Sequence, residues 1–150
     1  MVLTHQQSQL LEFVKQQHGT QVRKYTGEPY VNHVVNVAQT MIEYNETQYC
    51  IEIALCHDVF EDTPCDFDTL YQKMKSIGYG IDYSFDVCTF VNELTNVYTH
   101  QMYPHLNRKQ RKEREAHRLS TISHQAQTVK YADIIDNASS IMQHDTKSGS

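Results

Sequence analysis

Apolar residues that return every third or fourth position set what this chain can fold into. Val31, Val34, Val35, Ala38 and Ile42 fall at i, i+3, i+4, i+7 and i+11, one face of an α-helix. Phe67, Leu70, Tyr71, Met74 and Ile77 repeat the pattern, which predicts a helix with Thr63 as N-cap, Pro64 at its first position and Gly78 at its close. Val87, Phe90, Val91, Leu94, Val97 and Tyr98 form a third stripe. Segments 3–17, 48–60, 108–120 and 125–142 carry weaker helical periodicity. Gly19, Gly27, Gly78 and Gly80 fall between these segments, and 5 Gly with 3 Pro are too few for a loop-rich or fibrous chain. No stretch alternates with period two for long enough to make a strand. The expected fold class is all-α. With 150 residues and no internal repeat or linker, residues 1–150 read as a single domain whose core needs no staple.

Charge and cysteine usage narrow the partners. Lys+Arg total 13 and Asp+Glu 18, a formal net charge of −5, which argues against a nucleic-acid partner. The basic run Arg108-Lys109-Gln110-Arg111-Lys112-Glu113-Arg114 is interleaved with Glu113 and Glu115 and reads as a solvated helix face. No apolar run approaches the roughly 18 residues of a membrane helix. The Gln-rich first twenty residues hold no apolar signal core, so no membrane or secretory role is expected. Cys50, Cys56, Cys65 and Cys88 match no paired CxxC pattern and read as free thiols in a reducing cytoplasm. The nine His are the first compositional sign of chemistry.

Three places put polar groups where a helix should be apolar. Across Ile51–Phe60, the residues Ile51, Ala54 and Leu55 set a buried stripe whose i+7 position is Asp58. A carboxylate there is costly unless it is paired, hydrogen-bonded or bound to a metal. His57 stands about 100° round the same helix, near enough for both side chains to reach one ion. Glu61 and Asp62 follow at i+4 from His57 and Asp58. In the second place, Asp133 and Asn137 share a face at i, i+4, with Lys130 three residues before Asp133. The third is His33, on the flank of the Val31–Ile42 stripe behind Gly27-Glu28-Pro29-Tyr30. Singly, each has an ordinary structural explanation. Jointly they offer two imidazoles and two carboxylates from three helices, an N/O donor mix that suits Mn, Fe or Zn.

The strings that carry these residues resemble a known family. His18–Ala38, HGTQVRKYTGEPYVNHVVNVA, resembles the opening of the hydrolase domain of RelA/SpoT homologues. ALCHDVFEDT, Ala54–Thr63, resembles that family's HD motif with the Glu-Asp pair that HD phosphohydrolases in general lack. AQTVKYADIIDN, Ala126–Asn137, resembles its late Lys-x-Ala-Asp…Asn motif. The matches keep their order over residues 18–137. They leave no room for a synthetase domain, so the chain is similar to the stand-alone small alarmone hydrolases.

The resemblance implies a helical HD-domain bundle holding one Mn²⁺ through His33, His57, Asp58 and Asp133. It implies a metal-dependent phosphohydrolase that removes the 3′-pyrophosphate from (p)ppGpp and returns GDP or GTP. Glu61 and Asp62 would position and deprotonate the attacking water, and Arg23, Lys24 and Asn137 would line the nucleotide pocket. Arg23, Lys24 and Lys130 are the cations available to steer a polyanionic substrate towards a net-negative protein. Two other readings stand beside this one. The same site could act on ppApp or an NADPH-type 2′-phosphate, or the chain could be a non-catalytic nucleotide sensor or antitoxin partner of an alarmone synthetase. Degenerate members usually lose a ligand or the acidic pair, and neither is lost here. Val34 stands where the family usually has Pro, and Tyr131 where Leu is common. The sequence ends soon after the last motif, where relatives often continue with another helix, so a second copy in a homo-oligomer is a candidate cover for that surface.

Overall fold

The computed structural model describes the backbone of residues 1–46 and 48–149 and the side chains of residues 1–46 and 48–143. Its elements are α1 (His5–His18), α2 (Val31–Glu43), α3 (Cys50–Cys56), α4 (Val59–Asp62), α5 (Phe67–Ile77), α6 (Ile81–Leu94), α7 (Arg108–Leu119) and α8 (His124–Gly149). Val22 and Pro29 form an isolated antiparallel bridge, and among the described residues there is no strand. The all-α expectation holds.

α3 is the axis of the bundle. It packs against α1, α2, α6 and α8, while α2 also lies along α8 and α5 along α6. Its residues Ile53, Ala54, Leu55 and Cys56 are fully buried, as befits a helix that is apolar nearly all round. Glu52 is the exception, and its carboxylate is satisfied rather than solvated. It accepts from Gln7 Nε2 at 3.0 Å, Tyr79 Oη at 3.1 Å and Tyr83 Oη at 2.9 Å. Gln7 also completes a capping box with Thr4, so the start of α1 and the middle of α3 share one polar side chain. The four cysteines are free and buried. Burial pushes the Cys50 and Cys65 thiols up to about 11 and Cys88 up to about 12, which leaves them protonated and inert.

Three differences from the sequence expectation have local causes. α5 begins at Phe67, because Asp66 caps it by accepting from Thr69 N at 2.9 Å. Thr63 instead closes the preceding turn, its hydroxyl donating to Val59 O and accepting from Cys65 N, so Pro64 lies in a connection. Gly78 does end α5, at φ 115, where a side chain would be strained. α6 stops at Leu94, one turn short of the Val97–Tyr98 end of its stripe. Arg118 of α7 takes Glu93 O and Thr95 O at 2.6 and 3.2 Å, while Glu115 accepts from Val97 N and Tyr98 N. The backbone groups that a longer helix would have paired are satisfied by α7 instead. α7 has no buried residue, as expected of the basic, interleaved run it carries. The third difference, a break within segment 48–60, builds the site.

Leu55 sits in the fully packed middle of α3. Leu55→Ala is expected to cost roughly 2–5 kcal/mol in urea unfolding, by lost burial plus the cavity left behind.

Candidate metal centre and catalytic site

The helix expected over 48–60 breaks at His57 and Asp58, two of the expected metal ligands. α3 ends at Cys56, His57 keeps helical angles, and Asp58 turns to φ −107, ψ 3 before α4 starts at Val59. In an unbroken helix the two side chains would diverge by about 100°. The break brings them together, with His57 Nε2 2.9 Å from Asp58 Oδ2. It also reverses their expected burial. His57 is almost fully enclosed, and Asp58 is the partly open one, held by a hydrogen bond from the Tyr30 hydroxyl.

α2 brings His33 and α8 brings Asp133 to the same point. His33 Nε2 lies 2.8 Å from Asp133 Oδ1 and 3.2 Å from His57 Nε2, and His57 Nε2 lies 3.4 Å from Asp133 Oδ1. One donor atom from each of the four residues lies within 4.8 Å of the others.

The hydrogen bonds on the far side of each ring decide what these atoms can bind. His57 Nδ1–H donates to Ala54 O at 2.7 Å, and His33 Nδ1–H donates to Asp136 Oδ2 at 2.8 Å. In the neutral imidazoles both Nε2 atoms therefore present lone pairs, facing each other and two carboxylate oxygens. Such a group repels itself unless a proton or a cation sits within it. Two imidazole nitrogens and two carboxylate oxygens, oriented by partners behind them, fit a divalent metal.

The electrostatics of the metal-free centre follow from the same geometry. Burial pulls the His57 imidazole down, but Asp58 and Asp133 outweigh it and leave His57 well above its usual value. His33 is also raised, the hydrogen bonds to Asp133 and Asp136 overcoming burial. Burial works against ionisation of Asp133, yet bonds from His33 and His57 and the charges of His57 and Lys130 hold it far below the carboxylate range. Lys130 Nζ donates to Asp133 Oδ2 at 3.0 Å, and Asn137 Nδ2 donates to Asp133 Oδ1 at 3.1 Å, the pairings that the i+3 and i+4 spacings implied.

Glu61 and Asp62 stand on α4 with surfaces open to solvent. Partial desolvation by neighbouring groups and the charges of Asp58 and Asp62 raise Glu61 above its usual value, and partial desolvation and Asp58 raise Asp62. Each carboxylate is steered by an amide that sequence reasoning missed. Asn96 Nδ2 donates to Glu61 Oε1 at 2.6 Å, and Gln21 Nε2 donates to Asp62 Oδ2 at 3.3 Å. Arg23, Lys24 and Asn137 line one groove with Tyr30 and Ser140. Arg23 is buried, and its guanidinium is committed to Glu28 at 3.2 Å, Asp136 at 3.1 Å and Asn137 at 3.3 Å. Tyr30 and Asp136 were also missed. Asp136 follows Asp133 by three residues on one helix face, a spacing that could have marked it.

This fold and site define an all-helical domain with a two-histidine, two-aspartate centre suited to a divalent metal. The sequence profile of the HD domain family matches residues 30–138, and the chain belongs to that family. It is 47% identical over 64 residues to the guanosine-3′,5′-bis(diphosphate) 3′-pyrophosphohydrolase of Aquifex aeolicus (strain VF5), a match covering 43% of this chain and 8% of that protein. It is 31% identical over 134 residues to the guanosine-3′,5′-bis(diphosphate) 3′-pyrophosphohydrolase MESH1 of Drosophila melanogaster, covering 85% of this chain and 64% of that protein. The chain thus spans less than two thirds of either relative's length. A solved structure described as a metazoan orthologue of SpoT that hydrolyses ppGpp superimposes with TM-score 0.72 at 28% identity, covering 91% of this chain and 70% of that one.

Two measurements check the centre. A divalent cation at about one hundred times its Kd is expected to stabilise the fold by about 2.7 kcal/mol, read as a rise in Tm, and His57→Gln is expected to abolish that rise. In chelator the pH dependence runs the other way. The raised folded pKa of His57 contributes stability that is complete below its unfolded value of 6.5 and is lost as pH climbs through the folded value. Metal binding needs neutral imidazoles, so the metal-dependent rise in Tm should grow over the same pH range in which the metal-free protein weakens. Parallel pH profiles with and without metal would refute this account of the centre.

Proposed function

We propose that this chain is a metal-dependent (p)ppGpp 3′-pyrophosphohydrolase, one HD domain over residues 1–150 that releases pyrophosphate and returns GDP or GTP. The observation that carries the reading is the convergence of four lone-pair donors beside two carboxylates raised above their usual range. The relatives of the same fold, named as guanosine-3′,5′-bis(diphosphate) 3′-pyrophosphohydrolases, supply the substrate class.

In this reading His33, His57, Asp58 and Asp133 hold the cation, for which Mn²⁺ suits the mixed N/O donors. When bound, it lowers the pKa of water and offsets charge on a phosphoryl group under attack. Glu61 and Asp62 take the proton from the attacking water, and Asn96 and Gln21 aim them. Their raised pKa values bring them nearer neutral pH, which makes them better proton acceptors than an ordinary carboxylate. Lys24 lines the groove that takes the polyanion and Asn137 stands at its wall, bonded to Arg23 and Asp133, while Lys130 lies outside that groove with its ammonium on Asp133. Tyr30, kept protonated by burial and by Asp58, holds Asp58 in place as a hydroxyl donor. Four buried free thiols fit a reducing cytoplasm, and no helix among the described residues is long and apolar enough to cross a membrane.

The test is pyrophosphate release from ppGpp and ppApp by purified protein, with Mn²⁺ and with chelator. Mn²⁺-dependent release from ppGpp is expected, and faster release from ppApp would reassign the base. Glu61→Gln and Asp62→Asn are each expected to lower kcat by about 10²–10⁴-fold, and full activity in both would remove them from the mechanism. Since Glu61 and Asp62 must be ionised to accept a proton, kcat should fall as pH drops through their raised pKa values.

A further inference from the structure

We infer that Asp136 is a positioning residue that sets His33 for metal binding and, through Arg23, ties the metal centre to the wall of the substrate groove. The inference rests on the reading of the four donors as a metal site.

His33 is fully buried, and its ring has two partners. Nε2 faces the centre, and Nδ1–H donates to Asp136 Oδ2 at 2.8 Å. Without Asp136 the Nδ1 hydrogen loses its acceptor inside the protein. The ring could then move that hydrogen to Nε2, where it would occupy the lone pair that a metal needs. Asp136 therefore fixes both the tautomer and the plane of the ring.

Asp136 is itself gripped by two other segments. Asn36, one turn beyond His33 on α2, donates to Oδ1 at 3.2 Å. Arg23, from the segment between α1 and α2, brings Nη2 to within 3.1 Å of Oδ2. The same Nη2 donates to Asn137 Oδ1 at 3.3 Å, and Asn137 Nδ2 donates to Asp133 Oδ1 at 3.1 Å. Asp133 Oδ1 is the oxygen that lies 2.8 Å from His33 Nε2. The contacts close into a ring running from His33 through Asp136, Arg23, Asn137 and Asp133 back to His33. Two of the four donors are thereby set by one guanidinium that touches neither. Arg23 was expected to contact the nucleotide. The ring gives it a second task, for which Lys is a poor substitute: the planar guanidinium holds Nη1 on Glu28 while Nη2 serves Asp136 and Asn137, and a flexible ammonium lacks that fixed fork.

The test compares wild type with Asp136→Asn, Asp136→Ala and Arg23→Lys. Mn²⁺ binding is followed by loss of the free-ion EPR signal, and folding is checked by circular dichroism. Asp136→Asn keeps the shape of the side chain but removes the negative charge that strengthens the bonds from His33 and Arg23, and it puts an NH₂ where Oδ1 accepts from Asn36. Mn²⁺ affinity is expected to fall about 10–100-fold in both Asp136 variants, and to fall in Arg23→Lys although neither residue is a ligand. A merely structural role would not move the second readout, the imidazole ¹⁵N shifts of His33 in Zn²⁺-loaded protein. Wild type should show Nδ1–H strongly hydrogen-bonded, with a downfield-shifted proton, and Asp136→Ala should keep the proton but lose that hydrogen bond and its shift. Folded Asp136 variants that bind Mn²⁺ within twofold of wild type and keep the wild-type shift of the hydrogen-bonded Nδ1–H would overturn this inference alone. Wild-type protein that leaves the EPR signal unchanged would overturn the metal site and this inference with it.

Discussion

Lone pairs on two imidazoles and two carboxylates cannot share a space of a few ångströms unless positive charge sits among them, and the bundle is arranged around that requirement. The apolar packing of α2, α3 and α8 supplies the force that brings the groups together. Burial then raises the electrostatic stakes, because a carboxylate or imidazole removed from water must find its compensation locally. In the metal-free protein the two carboxylates draw the histidine pKa values up, Lys130 and Asn137 bond Asp133, and Tyr30 bonds Asp58. A divalent cation is the alternative occupant of the same electrostatic role, and proton and metal therefore compete for one site.

The polar contacts behind the donors are as organised as the donors themselves. Ala54 O and Asp136 fix the two ring tautomers, Gln21 and Asn96 aim the acidic pair, and Arg23 ties Asp136 to Asn137. These partners come from segments far apart in sequence: the connection before α2, α3, the loop after α6, and α8. A site held from several directions keeps its geometry without relying on any one flexible side chain, which is what proton transfer and metal coordination both demand.

Much of the fold was legible in the apolar periodicity, because a helix must bury one face and that face repeats every 3.6 residues. α2 lies within a residue of its expected span, and Gly78 ends α5 as expected. The misplacements have local causes. The apolar stripe continued past Leu94, but Arg118 and Glu115 of α7 take over the backbone groups there, and a stripe cannot reveal a competing partner. Thr63 and Asp66 are both acceptable caps, and only the turn that Thr63 closes onto Val59 selects Asp66 for α5.

The sequence by itself determined the helical class and the residue types of the candidate centre. His, Asp, Glu and Lys announce themselves where apolar residues are due, and burying them uncompensated is too costly to be accidental. Only the tertiary structure decided which of them meet. The break between His57 and Asp58 turned two diverging side chains towards one point. The packing of α8 on α2 made Asp136 the partner of His33, and drew Arg23 inward to Asp136 and Asn137. Hydrogen bonds between residues about a hundred positions apart depend on how helices cross, and spacing along a chain encodes only what a single helix places side by side.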